Sequence, residues 1–495
     1  MNARIRRLGL ALSVCYLAVF GMLNYVQVFQ AEELSERPEN VDVIRRNYAR
    51  NRGTITTADG TVIARSVPVD DEFEYQRQYP EGDLYAAITG YYSFEFGAAG
   101  LERTYDAELV GDTVEQQLRG IADLFVSEDQ VGDLRTTIRA DLQAKAREQL
   151  GQRRGAVVAL DPRTGAVLAL WDYPSYDPNP LASHDFEDAR AAREFLQPQS
   201  GDSALIATSY QDRFFPGSTF KVVVASAGLK SGEVTPDAPS YPVESSWVPP
   251  QTTRPLANSH TCGGTLFTIL AESCNTSFAR MAVETLGAER TVEGAEAFGF
   301  NDEPPIDLPD PVESVFPPVG AFQDNAPALA QSAIGQFEVQ ATPLQMALTA
   351  AAIANDGVMM EPYVVEELRD GDGDVITTHD EEVWRQPISA ETAAIMQEAM
   401  RGVVNGPGGT ATSLQGLGEL DVGAKTGTAQ LGTDPPANHA WMIAWAGPPG
   451  GEPEIAVAVL VEGLPGAGTE ASGNGEAGPI ARCMIATALG VAGIC

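Results

Sequence analysis

The chain has 495 residues, which allows two or three domains at roughly 150 residues each. Hydrophobic residues make up 44% of it, enough for sizeable cores and too many for a disordered chain. With 68 acidic and 32 basic residues the formal net charge is −36. Such a charge repels phosphate backbones, so no nucleic-acid partner is predicted.

The first predicted element is an apolar helix over residues 8–29, long enough to cross a bilayer. Arg4, Arg6 and Arg7 precede it, so the positive-inside rule leaves residues 1–7 in the cytoplasm and the remainder outside. The alternative is a cleaved signal peptide, but the run is too long, and Phe29 two places before Ala31 makes a poor cleavage site. The sequence therefore predicts a single-pass protein of the cell membrane.

The stretch over 34–150 is polar, with short β-like runs and a helical segment near 141–150. The pattern changes at Arg154, where residues 155–173 favour two apolar strands joined by a tight turn at 161–165. This change predicts a boundary between a smaller, β-rich, non-catalytic N-terminal module (34–150) and a second domain (154–490).

In the second domain, buried helices are predicted over 220–229 and over 340–354, where Thr342 and Pro343 form the helix start. Residues 302–326 are rich in proline and acidic residues and are predicted to be loop. Residues 440–446 and 454–460 alternate like strands. The order strand, strand, helices, strand, strand, helix predicts an α/β fold of α+β layers, with helices covering a sheet.

No metal site is predicted, because the four histidines are dispersed without ligand spacing. The acidic segment 370–374 has the spacing of a calcium loop, but Val375 occupies the position that requires glycine. A solvated hairpin turn is therefore expected there.

The first candidate for chemistry is the segment 215–221, which opens an apolar helix and contains Ser218 and Lys221. Residues three apart share a helix face, so the lysine amine can reach the serine oxygen. A lysine kept neutral by burial can act as the base that makes a serine nucleophilic. The alternative is a serine that caps a helix beside a solvated lysine, and this spacing alone does not exclude it.

Two later motifs favour the chemical interpretation. Ser273 and Asn275 follow a helical stretch and would present a second hydroxyl and an amide. Residues 425–428 (Lys-Thr-Gly-Thr) predict an edge strand whose Gly427 lets a substrate backbone approach, with Lys425 supplying positive charge. The chain has only four lysines, and two of them lie in these motifs. Arginine could not replace Lys221 as a base because it does not deprotonate in proteins.

The three motifs, in this order, resemble those of penicillin-binding proteins. The sequence resembles a class B penicillin-binding protein of the actinobacterial penicillin-binding protein A type, over nearly the whole chain. Further matching segments lie at 51–55, 59–60, 100–102, 161–165, 177–179, 334–336, 342–345 and 408–411. The resemblance implies a transpeptidase fold with a central antiparallel sheet flanked by helices, and no cofactor.

The resemblance also implies a role for each motif residue. Ser218 would be acylated by the D-Ala-D-Ala end of a peptidoglycan stem peptide, with Lys221 as the base. Ser273 would relay a proton to the leaving D-Ala, and Asn275 would orient the donor amide.

The strand motif would hold the other end of the donor. Lys425, Thr426 and Thr428 would bind its terminal carboxylate, and the backbone N–H groups of Ser218 and Thr428 would form the oxyanion hole. An acceptor amine would then take the acyl group, which makes a cross-link for wall growth or division.

Several alternatives compete with a D,D-transpeptidase. The space before the second domain is too short for the glycosyltransferase domain of a class A protein. A β-lactamase would be a shorter secreted chain, whereas a D,D-carboxypeptidase and a catalytically silent scaffold of a wall-synthesis complex stay open. The partners implied by the resemblance are peptidoglycan stem peptides, β-lactam antibiotics and a membrane-embedded glycan polymerase (RodA/FtsW-like).

Cys15 lies in the predicted membrane helix, and the other four cysteines lie outside it. Cys262 and Cys274 bracket the helix that leads to Ser273, and the oxidising exterior favours a disulfide between them. Four external cysteines allow three pairings, and a buried free thiol is also compatible with these positions. Cys483 and Cys495 are expected to be either paired or free.

Overall fold

A computed structural model describes residues 2–29, 45, 48–113, 116, 131–197, 203–434, 436–464 and 471–495. The chain divides into two compact units, one made of residues 1–51 and 67–76 and the other of residues 52–66 and 77–495.

The strands are β1 (Ile55–Thr56), β2 (Val62–Pro68), β3 (Tyr75–Gln78), β4 (Tyr92–Ser93), β5 (Gly97–Ala98), β6 (Asp133–Thr136), β7 (Gly155–Leu160), β8 (Val167–Tyr173), β9 (Tyr241–Trp247), β10 (Leu256–Gly264), β11 (Met359–Met360), β12 (Val365–Arg369), β13 (Val375–Thr378), β14 (Val383–Arg385), β15 (Asp421–Gln430), β16 (Asn438–Gly447) and β17 (Ile455–Val461). The α-helices are α1 (Asn2–Phe29), α2 (Ala86–Thr89), α3 (Leu101–Thr104), α4 (Asp106–Leu109), α5 (Ala140–Leu150), α6 (Phe186–Leu196), α7 (Lys221–Ser231), α8 (Leu266–Ala271), α9 (Asn275–Arg280), α10 (Gly287–Ala297), α11 (Ala326–Ser332), α12 (Pro343–Ala354), α13 (Ala390–Asn405) and α14 (Gly478–Ala488).

The larger sheet has five strands in the order β15, β16, β17, β7, β8, and every neighbouring pair is antiparallel. All residues of β7, β16 and β17 are buried, as expected for apolar strands covered on both faces. The predicted strands at 155–173, 440–446 and 454–460 belong to this sheet. The expected central antiparallel sheet is therefore confirmed, and the motif strand β15 lies at its edge.

Helix α12 covers the centre of this sheet, in contact with β7, β16 and β17. All twelve of its residues are buried, which explains why its sequence is apolar all round. The predicted start at residue 340 is too early, because the backbones of Gln340 and Ala341 pair in extended conformation with other segments. The helix begins at Pro343, where the Thr342 hydroxyl accepts a hydrogen bond from the Gln345 N–H at 3.0 Å.

A second sheet contains, in order, β13, β12, β6, β1 and β2. Strand β6 pairs in parallel with β1 and antiparallel with β12, so a hairpin from residues 365–378 joins the N-terminal strands. The acidic segment 370–374 is the turn of that hairpin, as expected. The bounds of the N-terminal module, 34–150, stay a prediction, and residues 34–44 and 117–130 lie outside the described residues.

Two of the N-terminal segments that resemble the family, 51–55 and 100–102, meet in a buried ion-pair network. The Glu102 carboxylate accepts from the Arg52 guanidinium at 3.0 Å and from the Arg77 guanidinium at 2.5 Å, and all three side chains are buried. Arg52 also pairs with Asp106 at 2.5 Å. Loss of the Glu102 carboxylate would remove the acceptor that two buried guanidinium groups share, a change that costs on the order of 3–5 kcal/mol. The network therefore ties α3, which carries Glu102, to Arg52 before β1 and to Arg77 on β3.

Residues 8–29 lie within helix α1. Over the ranges described above, no helix reaches the combination of length and hydropathy that a bilayer crossing requires. The predicted membrane crossing stays a prediction.

Candidate active site

A cleft of about 1230 Å³ brings the three sequence motifs together. It is lined by Ser218, Ser273, Asn275, Thr426 and Thr428, among other residues. Lys221 and Lys425 are fully buried beneath these lining groups. The structure thus unites residues separated by more than 200 positions in the sequence.

Ser218 lies on a single 3-10 turn (Gly217–Phe220) that runs directly into α7. Gly217 has a φ of +54°, and a Cβ there would lie 2.9 Å from the carbonyl oxygen of Thr428. The backbone before the serine therefore packs against β15 at a distance that only glycine permits. The result is a serine hydroxyl held at a helix start beside the edge strand.

Ser273 occupies an unusual backbone conformation at the end of α8. Its φ is +58°, a left-handed value that is normally taken by glycine at this position of a helix terminus. The N–H groups of Ser273 and Cys274 donate to the carbonyls of Leu270 and Ile269 at 3.2 and 2.9 Å, which closes the last turn. This turn aims the Ser273 hydroxyl at the two lysines, and α9 begins directly afterwards at Asn275.

The edge strand β15 pairs with β16 along its whole length, with Lys425 opposite Ile443 and Gly427 opposite Trp441. A Cβ at Gly427 would lie 2.9 Å from the Pro216 carbonyl, so this glycine lets the helix start approach the strand. The Thr426 hydroxyl donates to the Thr410 hydroxyl at 2.9 Å. Thr410 lies in the 408–411 segment, so that segment also borders the cleft.

The Lys221 amine is the centre of the hydrogen-bond network. Its Nζ lies 2.7 Å from the Ser273 carbonyl oxygen, 2.7 Å from Asn275 Oδ1 and 3.1 Å from Ser273 Oγ. Burial, with the charge of Lys425 as the second cause, holds the pKa of Lys221 well below its usual range. In the described part of the chain its hydrogen bonds do not include the Ser218 hydroxyl, which lies one turn earlier.

Lys425 donates to Ser273 Oγ at 2.8 Å and to the Thr426 carbonyl at 3.0 Å. Burial lowers the pKa of its ammonium to about 7. Ser273 Oγ therefore lies between two amines, each at hydrogen-bond distance. This lysine lies under the cleft floor and not in the cleft lining.

One arrangement of protons satisfies every contact in the network. A neutral Lys221 has two N–H donors for the Ser273 carbonyl and Asn275 Oδ1, and one lone pair that accepts from the Ser273 hydroxyl. The Ser273 oxygen then accepts from a charged Lys425. The Asn275 amide is oriented by its other end, since Nδ2 donates to the Ala257 carbonyl at 2.9 Å. The geometry thus suits a neutral amine beside a charged one.

The sulfur atoms of Cys262 and Cys274 form a disulfide, as do those of Cys483 and Cys495. The first bond ties β10 to the residue between Ser273 and Asn275. His260, Cys262 and Glu272 bring potential metal-ligand atoms within 4.8 Å of one another, but the Cys262 sulfur is already bonded to carbon and sulfur and is not a thiolate.

Several further segments border the cleft that the sequence patterns did not indicate. Among them are the connection 248–255 between β9 and β10, which contributes Arg254, and the segment 472–474. Gly473 packs closely against β15, because a Cβ there would lie 2.7 Å from the Gly427 carbonyl oxygen. No spacing or composition singles out Arg254.

The fold and the cleft define a class of protein, the penicillin-binding transpeptidases. The family model described as "Penicillin binding protein transpeptidase domain" matches residues 155–486, and that described as "Penicillin binding protein A dimerisation domain" matches residues 52–134. The chain therefore belongs to the penicillin-binding protein transpeptidase family. The expected family and enzyme class, a serine-type penicillin-binding transpeptidase, are confirmed.

Two mycobacterial relatives of similar length resemble this chain in sequence. The chain is 38% identical to "Peptidoglycan D,D-transpeptidase PbpA" of Mycolicibacterium smegmatis over 509 residues, which cover 99% of each protein. The protein of the same name from Mycobacterium tuberculosis is 38% identical over 510 residues, again with 99% of each chain covered.

Solved structures resemble the fold described above. Penicillin-binding protein A from M. tuberculosis, as its ceftriaxone acyl-enzyme complex, matches with a TM-score of 0.79 and 34% identity over 90% of this chain and 100% of that one. The penicillin G acyl-enzyme complex of the same protein matches with a TM-score of 0.78 and 36% identity over 89% and 99% of the two chains.

Proposed function

We propose that this protein cross-links peptidoglycan stem peptides as a D,D-transpeptidase that works through a serine acyl-enzyme. The observation that carries the proposal is the position of Ser273 Oγ between the amines of Lys221 and Lys425, 3.1 and 2.8 Å away, in a cleft that Ser218 also lines. The names of the full-length mycobacterial relatives support the same reaction.

In the acylation step, Ser218 Oγ attacks the carbonyl carbon of the penultimate D-Ala of a donor stem. Its proton passes to the neutral Lys221 amine as the new C–O bond forms. The C–N bond to the terminal D-Ala then breaks, and the leaving amine receives a proton through the Ser273 hydroxyl. Ser218 is left as an ester of the donor peptide.

The edge strand provides binding for the donor. Thr426 and Thr428 line the cleft and bind the terminal carboxylate through their hydroxyls, and Lys425 contributes charge from directly beneath. The Thr426 proton turns to the carboxylate as the Thr410 hydroxyl becomes the donor of their shared hydrogen bond. Gly427 permits close approach of the donor backbone, and Asn275 orients the donor amide. The N–H groups of Ser218 and Thr428 stabilise the tetrahedral oxyanion, an interaction of the kind worth about 3–4 kcal/mol when one donor is removed.

In the second step, the amine of an acceptor stem attacks the ester carbonyl. The amine loses a proton, the new amide bond forms, and the C–O bond to Ser218 breaks as its oxygen is reprotonated through Lys221. The cross-linked peptide leaves, and the site returns to its starting protonation state. Water in place of the amine would give a D,D-carboxypeptidase instead.

β-Lactams imitate the donor and acylate the same hydroxyl. Support comes from the ceftriaxone and penicillin G acyl-enzyme complexes of the related M. tuberculosis protein. We infer that this chain is likewise a target of β-lactam antibiotics.

The location follows from the sequence. Residues 8–29 anchor the protein, residues 1–7 stay in the cytoplasm, and the modules 34–150 and 154–490 lie outside. A membrane-embedded glycan polymerase (RodA/FtsW-like) supplies strands to be cross-linked. The expected result of deleting residues 1–29 is release of the protein from the membrane fraction, and a truncated protein that stays with the membrane would refute the anchor.

The proposed reaction is tested with a D-Ala-D-Ala donor peptide and an amine acceptor peptide. Wild-type protein is expected to release D-Ala and form the cross-linked product, Ser218→Ala to do neither, and Ser231→Ala at the far end of the same helix to match wild type. Release of D-Ala with no cross-linked product at saturating acceptor would overturn the transpeptidase assignment in favour of a carboxypeptidase.

A further inference from the structure

Arg254 lies in the connection 248–255 between β9 and β10, and it lines the same cleft as Ser218 and Asn275. It is exposed to solvent, and it is three residues before Ala257, a chain length of at most ~11 Å. Because the Ala257 carbonyl accepts from the Asn275 amide at 2.9 Å, Arg254 is held close to the centre of the site.

The hairpin that carries Arg254 is anchored at several points. Asn258 exchanges two hydrogen bonds with Thr276, at 2.9 and 3.0 Å, directly after the second motif. At the far side of the loop, the Gln251 side-chain oxygen accepts from the Ala326 N–H at 2.8 Å. The Cys262–Cys274 disulfide ties the other end of β10. The loop is therefore preorganised, which limits the entropy lost when a ligand binds.

The guanidinium of Arg254 has no ion pair or side-chain hydrogen bond within the described ranges; its backbone N–H bonds Thr252. Arg280, at the end of α9 beside the same hairpin, does have acidic partners. It pairs with Glu244 at 2.9 Å and Glu284 at 2.6 Å and lies over the Trp247 ring. Arg254 therefore lacks the acidic partners that Arg280 has, in a chain with a net charge of −36.

Arg254 is also the only cationic side chain among the described residues that line the cleft. The acidic lining residue is Glu272, and its carboxylate lies 3.1 Å from His260 Nε2. The cleft volume of about 1230 Å³ exceeds the ~300–1,000 Å³ typical of small-molecule sites, so it holds more than a terminal dipeptide. An anionic group of a longer ligand would be favoured at Arg254 and repelled at Glu272.

We propose that Arg254 binds a carboxylate of the stem peptide other than the terminal one, and so makes the enzyme selective for stems whose carboxylate is free over stems whose carboxylate is amidated. The guanidinium matches a carboxylate with two parallel N–H···O bonds, which a neutral amide cannot reproduce. The carboxylate comes from the donor stem or from the acceptor stem. This inference rests on the proposed function and specifies its substrate.

The test uses a peptide that ends in D-Ala-D-Ala and carries one further carboxylate, and the same peptide with that group amidated. In the donor arm, kcat/KM is measured from D-Ala release; in the acceptor arm, both forms compete as amine acceptors for the acyl-enzyme. Each arm is run with wild type, Arg254→Gln, Arg254→Lys and the control Arg290→Gln, a surface arginine of α10. Penicillin acylation is measured on every protein to verify an intact site.

Wild type and Arg290→Gln are expected to favour the free carboxylate by about 10- to 100-fold in one arm, the range for a hydrogen bond to a charged group. In Arg254→Gln this ratio falls to near one while the amidated peptide reacts at its wild-type rate, and Arg254→Lys keeps part of the ratio. The wild-type ratio shrinks with added salt. The arm in which the preference appears identifies the donor or the acceptor stem.

Equal ratios in wild type and Arg254→Gln in both arms, with normal penicillin acylation, would overturn this inference alone. A wild-type protein that penicillin does not acylate would overturn the proposed function, and this inference with it. An equal loss of rate toward both peptide forms in Arg254→Gln would mean that Arg254 supports the loop only, and would also overturn it.

Discussion

Replacement of Lys425 by methionine is expected to reduce the pH dependence of folding between pH 7 and pH 9. Burial lowers the pKa of this ammonium from 10.5 to about 7. Below pH 7 both the folded and the unfolded chain carry the proton, and the free-energy cost of burying the charge is fully present. Above pH 7 the folded chain loses the proton that the unfolded chain keeps, so the free energy of unfolding rises with pH.

The magnitude follows from the two pKa values. When the unfolded chain binds one proton more than the folded chain, the free energy of unfolding rises by about 1.4 kcal/mol per pH unit. Lys425 of the folded chain is half protonated at pH 7. The free energy of unfolding of wild type should therefore rise by about 2 kcal/mol between pH 7 and pH 9. Lys425→Met lacks this contribution, so the difference in stability between the two proteins should change by the same amount.

The assay is denaturant unfolding of wild type and Lys425→Met at pH 7, 8 and 9, followed by tryptophan fluorescence. Titrating groups whose pKa does not depend on Lys425 are present in both proteins and cancel in the difference; the exception is Lys221, whose pKa is lowered in part by the charge of Lys425. Lys230→Met is the matched control, because Lys230 is exposed and donates to the Pro387 carbonyl at 2.8 Å. A stability difference between wild type and Lys425→Met that stays constant from pH 7 to pH 9 would refute the reasoning.

Three further predictions concern single side chains. Ser273→Gly and Ser273→Ala should slow penicillin acylation equally, but the glycine variant should be more stable by about 1 kcal/mol because the residue has a φ of +58°; equal unfolding midpoints would contradict this. Asp172 has a pKa raised to about 7, chiefly by burial, so the folded chain keeps a proton that the unfolded chain loses. Stability therefore falls as pH rises, and Asp172→Asn should gain about 2 kcal/mol relative to wild type between pH 5 and pH 7, as measured by denaturant unfolding at both pH values; no relative gain would show that the carboxyl titrates normally. Lys221→Arg replaces a neutral amine by a permanently charged guanidinium and so removes the base, and stopped-flow acylation should slow by about 10²- to 10⁴-fold. In wild type the acylation rate should fall with decreasing pH; an unchanged rate in Lys221→Arg would make Lys221 purely structural.

The parts of the fold that the sequence predicted correctly depend on local patterns. Strands β16 and β17 are apolar along their length, and α12 combines a Thr-Pro start with an apolar run, so each is visible in a short window. The three motifs were equally visible, since each is at most seven residues long. Their convergence into one cleft could be expected only from their order in the chain.

The parts that were missed depend on contacts between distant residues. Strand β12 pairs with β6 through Leu368 and Leu134, and nothing near either residue indicates this partner. The hydrogen bond from Lys425 to Ser273 joins residues 152 positions apart, and no local pattern predicts this contact. Arg254 lies in a loop whose position depends on Asn258 and Thr276 in another element. Periodicity and turn chemistry carry no information about such pairings.

The most direct test of the account is to locate the covalent adduct that penicillin leaves on the protein. Wild-type protein is labelled, digested and analysed by mass spectrometry. We expect a single penicilloyl ester on Ser218, formed more slowly at acidic pH because Lys221 must be neutral to accept the proton. An adduct on any other residue, or labelling that persists in Ser218→Ala, would contradict the central claim.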